Sequence, residues 1–313
     1  MIHTICFFNF WHNGDVYSGK GYMQDIIRQM PNMKFRHAQL NSLKTMRDLN
    51  CEHVHTDSID PRVTHSMRYV DFDGVLYINT WVGAYGNAVI PQGQHHANWT
   101  SLYTMWMHIY DTIGQLLGVS LEHTNNLAVY IPTTDWQKFD IAPAVRFAGP
   151  RQNIVLLCNG LVRSTQSNLG ILDGVVAELA KDFPNIDFVC TTKFDTTNIE
   201  PTNIYFTDDI FADVADGDIN EIAFLSTKAF MIVGKNSGPF MFTHVQENIL
   251  DAGKIFVSLS HRSSDSYAWG LSGLPCRYYH YSNDDDINVA GIIRKAIWDR
   301  AVQGTGQIEE LGI

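Results

Sequence analysis

The feature that most limits what this chain can become is the order of apolar and small residues between positions 218 and 259. Ile219, Ile222, Ala223 and Leu225 recur at helical spacing and lead into Phe230-Met231-Ile232-Val233. That run is too short for a helix of its own and reads as a buried strand. Gly234-Lys235-Asn236-Ser237-Gly238-Pro239 follows, small and polar, with Pro239 suited to the first position of a new helix. Met241, Phe242, Val245 and Ile249 give that helix an apolar stripe, Gly253 ends it, and residues 255–259 read as the next strand. Strand, Gly/Ser turn, helix, strand is a βαβ unit, which predicts parallel pairing.

Such a turn brings unpaired backbone N–H groups and the positive end of a helix dipole to one spot, where an anion binds readily. Lys235, Asn236, Ser237 and Gly238 are therefore the candidate phosphate site, Lys235 through its charge and Ser237 through its hydroxyl. An ordinary Gly-rich turn in a doubly wound sheet has the same composition, so the turn alone leaves both readings open.

The same alternation runs through the second half. Residues 153–158, 186–190, 204–206 and 276–281 also read as strands; Leu169, Leu172, Val176 and Leu179 mark one helix, and about 286–300 the last. This predicts a parallel, doubly wound sheet whose strand ends gather on one edge. On that edge lie Asn159 and Arg163, Thr191 and Lys193, Thr207 and Asp208, and the turn at Lys235. Arg163 and Lys235 are the natural partners of a diphosphate, Arg being able to bind it bidentately. The Thr191 and Thr207 turns suit a base or ribose. Arg163 as a plain solvated surface charge is the competing reading. His261-Arg262-Ser263-Ser264 is placed to line the same edge, and Asp284-Asp285-Asp286 to cap the last helix.

The first half begins with an apolar strand at 3–10, a polar loop at 11–21, and a helix at about 22–30 striped by Met23, Ile26, Ile27 and Met30. Residues 33–38 read as a second strand, whereas 39–67 is polar and histidine-rich without strict periodicity. His53 and His55, two apart, share a strand face, but no acidic or Cys partner stands at ligand spacing. Asp71-Phe72-Asp73-Gly74 precedes the short strand 75–79 and reads as turn chemistry, not as a carboxylate pair for a metal. Asn79 and Trp81 open an aromatic, Gly-rich loop at the end of that strand, where an open sheet places ligand contacts and where aromatic faces with amides suit a sugar. A long helix is predicted over 99–117 from Leu102, Met105, Trp106, Ile109, Ile113 and Leu116, a strand at 127–131, and a linker at 140–152.

The run NEIAFLSTKAFMIVGKNSGPFMF followed by NILDAGKIFVSLS resembles the C-terminal domain of GT-B glycosyltransferases, especially heptosyltransferase-like ones. The likeness covers roughly the second half well and the first half thinly. It departs from the family where Lys235-Asn236-Ser237-Gly238 replaces the DTG...H signature. The resemblance implies an α/β fold of two Rossmann-like domains facing each other across a cleft: residues 1–145 on the acceptor side and 146–313 binding the nucleotide sugar. It implies transfer of a sugar to a hydroxyl acceptor, with no cofactor besides the nucleotide-sugar donor and no obligatory metal. These enzymes often place an acid in the first loop, which makes Asp15 the candidate general base, facing the cleft, with His12 second. Structurally, Asp15 would merely cap the next segment and His12 pack on Trp11. The same scaffold serves a nucleotide-sugar epimerase or hydrolase, and a non-catalytic nucleotide- or sugar-binding module is the alternative of another class.

Composition closes several routes. A net charge of −11 disfavours a broad phosphate-tracking surface, so nucleic acid is not the expected partner. No apolar run reaches the ~20 residues that span a bilayer. Five scattered cysteines without a CxxC pair indicate neither a zinc site nor a disulfide framework, and the expected compartment is the cytoplasm.

Overall fold

The computed structural model describes residues 1–11, 13–41, 46–90, 99–122, 153–160, 172–200, 202–211, 219–235, 238–259, 274–281 and 288–303. They fall into two compact units, one ending by residue 122 and one starting at 153. The strand expected at 127–131, the linker at 140–152, the segments 261–264 and 284–286, and the candidates His12, Arg163, Asn236 and Ser237 lie outside the described residues.

Unit 1 opens with β1 (Thr4–Asn9), buried along its whole length. Helices α1 (Asn13–Tyr17) and α2 (Lys20–Gln29) follow, then β2 (Lys34–Gln39), β3 (Glu52–His55), β4 (Tyr69–Phe72), β5 (Val75–Asn79) and α3 (Trp99–Leu117). The sheet order is β3-β2-β1-β5-β4, parallel except for the antiparallel β4–β5 pair. One face of the sheet packs Cys6, Phe8, Ala38 and Tyr77 around Val63. On the other, Phe7 meets Trp106 of α3, whose indole stacks on Tyr22 of α2 at 5.2 Å. Each such side chain, fully buried, contributes roughly 1.5–3 kcal/mol of transfer free energy.

Three expectations for this half need correction. The loop expected at 11–21 contains α1, and α2 begins at Lys20, because Gly19 lets the chain pass the Trp106 ring: a Cβ there would stand 2.6 Å from it. The Asp71-Phe72-Asp73-Gly74 stretch is not all turn. Asp71 and Phe72 pair with Leu76 and Val75 in β4, while Asp73 (φ 53°) and Gly74 (φ 80°) make the left-handed two-residue turn of a β-hairpin. The stretch 39–67 contains β3, a four-residue edge strand only partly buried, whose periodicity is correspondingly weak.

Unit 2 contains β6 (Ile154–Cys158), α4 (Leu172–Asp182), β7 (Asp187–Cys190), β8 (Ile204–Phe206), α5 (Thr207–Ile210), α6 (Ile219–Lys228) and β9 (Met231–Lys235). It continues through α7 (Gly238–Met241), α8 (Gln246–Ile249), β10 (Ile255–Leu259), β11 (Arg277–Tyr281) and α9 (Val289–Gln303). Every strand pair is parallel, in the order β8-β7-β6-β9-β10-β11. This is the doubly wound 3-2-1-4-5-6 arrangement. The stripe of α4 (Leu172, Val176, Leu179) and that of α9 (Ile293, Ile297) cover one sheet face, and Ile222 and Leu225 of α6 the other.

The helix expected after Pro239 is two short helices. Thr243 Oγ1 and His244 Nδ1 both donate to the Phe240 carbonyl, at 2.6 and 2.9 Å, and these side-chain bonds compete with the helical ladder. A carbonyl only accepts, so Nδ1 carries the His244 proton, and Nε2 accepts from the Tyr278 hydroxyl at 2.9 Å. Lys254, buried ahead of β10, donates to the Ser226 carbonyl at 2.7 Å and to that of Ala229, closing the carboxyl end of α6.

Burial lowers the pKa of His244 from 6.5 to about 4, the Phe240 and Met241 backbone opposing it. As pH falls, the unfolded chain takes up the proton first. The stability held by the neutral ring is full above pH 6.5 and is lost on acidification through about 4, a difference of about 3 kcal/mol. The melting temperature should therefore drop over this window, and the drop should be smaller in His244→Phe. An identical acid profile in the variant would refute the assignment.

Candidate functional site

In unit 2 the strand order reverses between β6 and β9, and all strand ends point to one edge. Open α/β sheets bind ligands at such a crevice. β6 leads to Asn159, whose amide joins neighbouring elements: Nδ2 donates to Asp173 Oδ1 of α4 at 3.0 Å and to the Thr192 carbonyl at 2.9 Å, and Oδ1 accepts from Thr192 N–H at 2.9 Å. The candidate Asn159 thus has its amide fully engaged in tying β6 to α4 and to the segment after β7. Thr191 Oγ1, at the end of β7, is buried and has no hydrogen-bond partner among the described residues.

β9 ends in Gly234 and Lys235. A Cβ on Gly234 would lie 2.4 Å from the Phe240 ring and 3.0 Å from Cys158 Cβ, so the ring packs on the bare backbone of that glycine. Lys235 beside it is 6 % exposed. Among the described residues its ammonium makes no hydrogen bond or ion pair. Burial lowers its pKa, and the Asp173 carboxylate pulls the other way from a distance.

The remaining candidates are placed differently. Lys193 is half exposed and pairs with Asp209 at 2.6 Å. Thr207 is buried at the start of α5, with Asp208 exposed in its first turn. Gly238 is the half-buried first residue of α7. Asp173 escaped the sequence reading, and Gly234 and Lys235, read there as the start of the turn, are the last two residues of β9, paired with Ser258 and Leu259 of β10. Asp173 carried only the signal of an acid in a helix's first turn.

In unit 1, Asp15 sits exposed in the first turn of α1 and not in an open loop. Asn79 is buried: Nδ2 donates to the carbonyls of His65 (2.8 Å) and Met67 (2.9 Å), and Oδ1 accepts from Trp81 N–H (2.9 Å). It positions Trp81, whose indole centroid lies 4.8 Å from that of Trp11, with His65 6.1 and 6.4 Å from the two. His53 lies near Cys51 Sγ (3.9 Å) and His55 binds the Leu40 carbonyl (2.7 Å). Among the described residues no three His, Cys, Asp or Glu side chains are grouped to hold a metal ion, and no helix is long and apolar enough to cross a membrane.

No protein-family model and no curated protein matches the chain. Solved structures do. The heptosyltransferase WaaC of Escherichia coli, with ADP-2-deoxy-2-fluoro heptose, superposes with a TM-score of 0.55 at 9% identity, covering 95% of this chain and 99% of WaaC. WaaC with ADP gives 0.52 at 9% identity and the same coverage. The UDP-GlcNAc 2-epimerase of Neisseria meningitidis, bound to UDP-GlcNAc, gives 0.50 at 9% identity over 99% of this chain and 94% of its own. The likeness at such identities is one of fold: this chain is an α/β protein with two Rossmann-like domains of GT-B type, and its resemblance to heptosyltransferases holds at that level.

Proposed function

We propose that the protein is a glycosyltransferase that moves a sugar from a nucleotide-sugar donor, held by unit 2, to a hydroxyl acceptor. The observation that carries this reading is Lys235, a largely buried lysine with no hydrogen bond or ion pair among the described residues and only the distant Asp173 carboxylate to answer its charge, at the switch point of a doubly wound sheet. A buried charge is costly unless paired, and a diphosphate supplies the missing partner. Because α7 is a single turn, its dipole adds little. The lysine, the backbone N–H groups of the turn with Asn236, Ser237 and Gly238, and the Thr191 hydroxyl carry the binding. Arg163 adds a bidentate contact, and the segment at Lys193 and the start of α5 at Thr207–Asp208 meet the base or ribose. In the reaction the acceptor hydroxyl gives its proton to Asp15, its oxygen attacks the anomeric carbon, and the bond from that carbon to the diphosphate breaks. Lys235 neutralises the leaving diphosphate.

A thermal-shift screen with ADP, UDP and GDP tests the binding half, because a ligand selective for the folded state at about 100 Kd adds about 2.7 kcal/mol. Release of free nucleotide from the matching sugar nucleotide then identifies a transferase or hydrolase. The fold shared with a UDP-GlcNAc 2-epimerase keeps an isomerase as the second reading, and recovery of an isomerised sugar nucleotide would select it. Saturable binding without turnover would instead make the protein a binding module.

Transfer is expected to survive EDTA. Loss of transfer in EDTA with recovery on adding manganese or magnesium would reinstate Asp71 and Asp73 as metal ligands and overturn the metal-independent scheme.

A further inference from the structure

A cavity of about 390 Å³ opens in unit 1 between α2, the turn that follows it and the segment ahead of β3. Small ligands are held in cavities of about 300–1,000 Å³. Its floor is apolar: Ile27 of α2, Met30 and Met33 of the turn, and Phe35 of β2. Phe35 is 7 % exposed, and Phe7 of β1 stacks behind it at 6.0 Å between ring centroids, so this wall is backed by a second ring. Phe35 pairs with Ile5 near the start of β1, whereas Asn9 and Asn79 end their strands at the other edge. The cavity therefore lies toward the amino ends of the strands, away from the edge where an open sheet carries its main ligand.

The charges around the cavity are already answered. Asp48, whose side chain is 8 % exposed, binds the buried Lys20 ammonium at 2.6 Å. Arg28 binds Asp25, also at 2.6 Å. A charged ligand would have to compete with these pairs. Two carboxamides remain: Gln24 and Asn50 line the cavity, and their side-chain amides make no hydrogen bond among the described residues. Each offers N–H donors and a carbonyl acceptor. The thioethers of Met30 and Met33 are half-buried, and sulfur makes favourable contacts with the edge of an aromatic ring.

We propose that this cavity binds a small neutral aromatic molecule with an amide-type edge, a donor beside an acceptor. The ring lies on Ile27, Met30, Met33 and Phe35, and the amide edge meets Gln24 and Asn50 at the mouth, where Asn50 is exposed. The site belongs to unit 1 alone and does not rest on the glycosyl-transfer reading.

Saturation-transfer NMR with benzamide, nicotinamide and toluene tests the site. The folded protein should saturate the ring protons of benzamide and nicotinamide. Toluene, with the same ring size as benzamide and no amide, should bind several-fold more weakly. Gln24→Ala and Asn50→Ala should each weaken benzamide roughly 3- to 10-fold, the worth of one neutral hydrogen bond. Ile27→Trp should fill the cavity and abolish the signal. Met33→Trp, on the turn, should do the same and decides the matter where melting curves show that the helix variant does not fold. No signal from either amide, toluene binding equally well, or benzamide affinity unchanged in both alanine variants or in a folded tryptophan variant would overturn the proposal. So would displacement of benzamide by ADP or UDP, which would move its site to the nucleotide crevice of unit 2. Lys235→Met separates the two ideas: it should leave the benzamide signal intact while weakening nucleoside diphosphates, and each result stands or fails without the other.

Discussion

Lys235→Met should bind nucleoside diphosphate about 10- to 100-fold more weakly and yet melt at a higher temperature than the natural protein. The affinity loss corresponds to a hydrogen bond between charged groups, roughly 1.5–3 kcal/mol. The gain in stability follows from the same burial that lowers the lysine pKa. Without ligand the ammonium is desolvated and unpaired among the described residues, and an apolar side chain of similar length removes that cost. A structural lysine would show the opposite pattern, with lower stability and unchanged affinity. Calorimetric titration with the nucleotide identified by thermal shift, alongside melting curves, distinguishes the two. The lowered pKa gives a second reading of the same site. Only the protonated amine attracts the diphosphate, so affinity should begin to fall on the alkaline side below the pH at which an ordinary lysine titrates, and the fall should vanish in the variant.

Asp15→Asn should lower turnover by roughly two to four orders of magnitude while nucleotide affinity stays near that of the natural protein. Asparagine keeps the size and most hydrogen bonding of the aspartate but takes no proton from the acceptor. Asp15 is an exposed acid in the first turn of α1, and melting curves of the variant report any structural cost of the change. Steady-state kinetics with kcat and KM resolved separately reads the effect. Full turnover in Asp15→Asn would place the base elsewhere, with His12 the next residue to replace. Loss of folding would make Asp15 a cap and remove it from the chemistry.

What the chain's residues determined by themselves is the succession of strands in unit 2 with the helices α4, α6 and α9 between and after them, though not α5, which reads as turn. The runs at 204–206 and 255–259 are strands as expected, and the helices between strands follow apolar residues at 3.6-residue spacing. Strand and helix periodicities are local, so they are legible without partners. The long helix of unit 1 over 99–117 was legible for the same reason. The parallel, doubly wound character followed, because short strands alternating with helices admit few other arrangements. Lys235 could be named as a candidate on its place in a Gly/Ser turn, but its lack of a partner could not.

The tertiary structure alone decided the rest. It set β9 beside β6 in parallel, so that Lys235 ends its strand next to the strand that leads to Asn159. It split the helix after Pro239 through side-chain bonds to a single carbonyl, which apolar spacing does not register. It made β4 an edge strand out of a stretch that reads as turn. It also brought Trp11 against Trp81, far apart in sequence, because β1 and β5 are neighbours. Each of these depends on which strands pair, a choice made by burial and hydrogen bonding between distant segments, and local residue patterns carry no record of it.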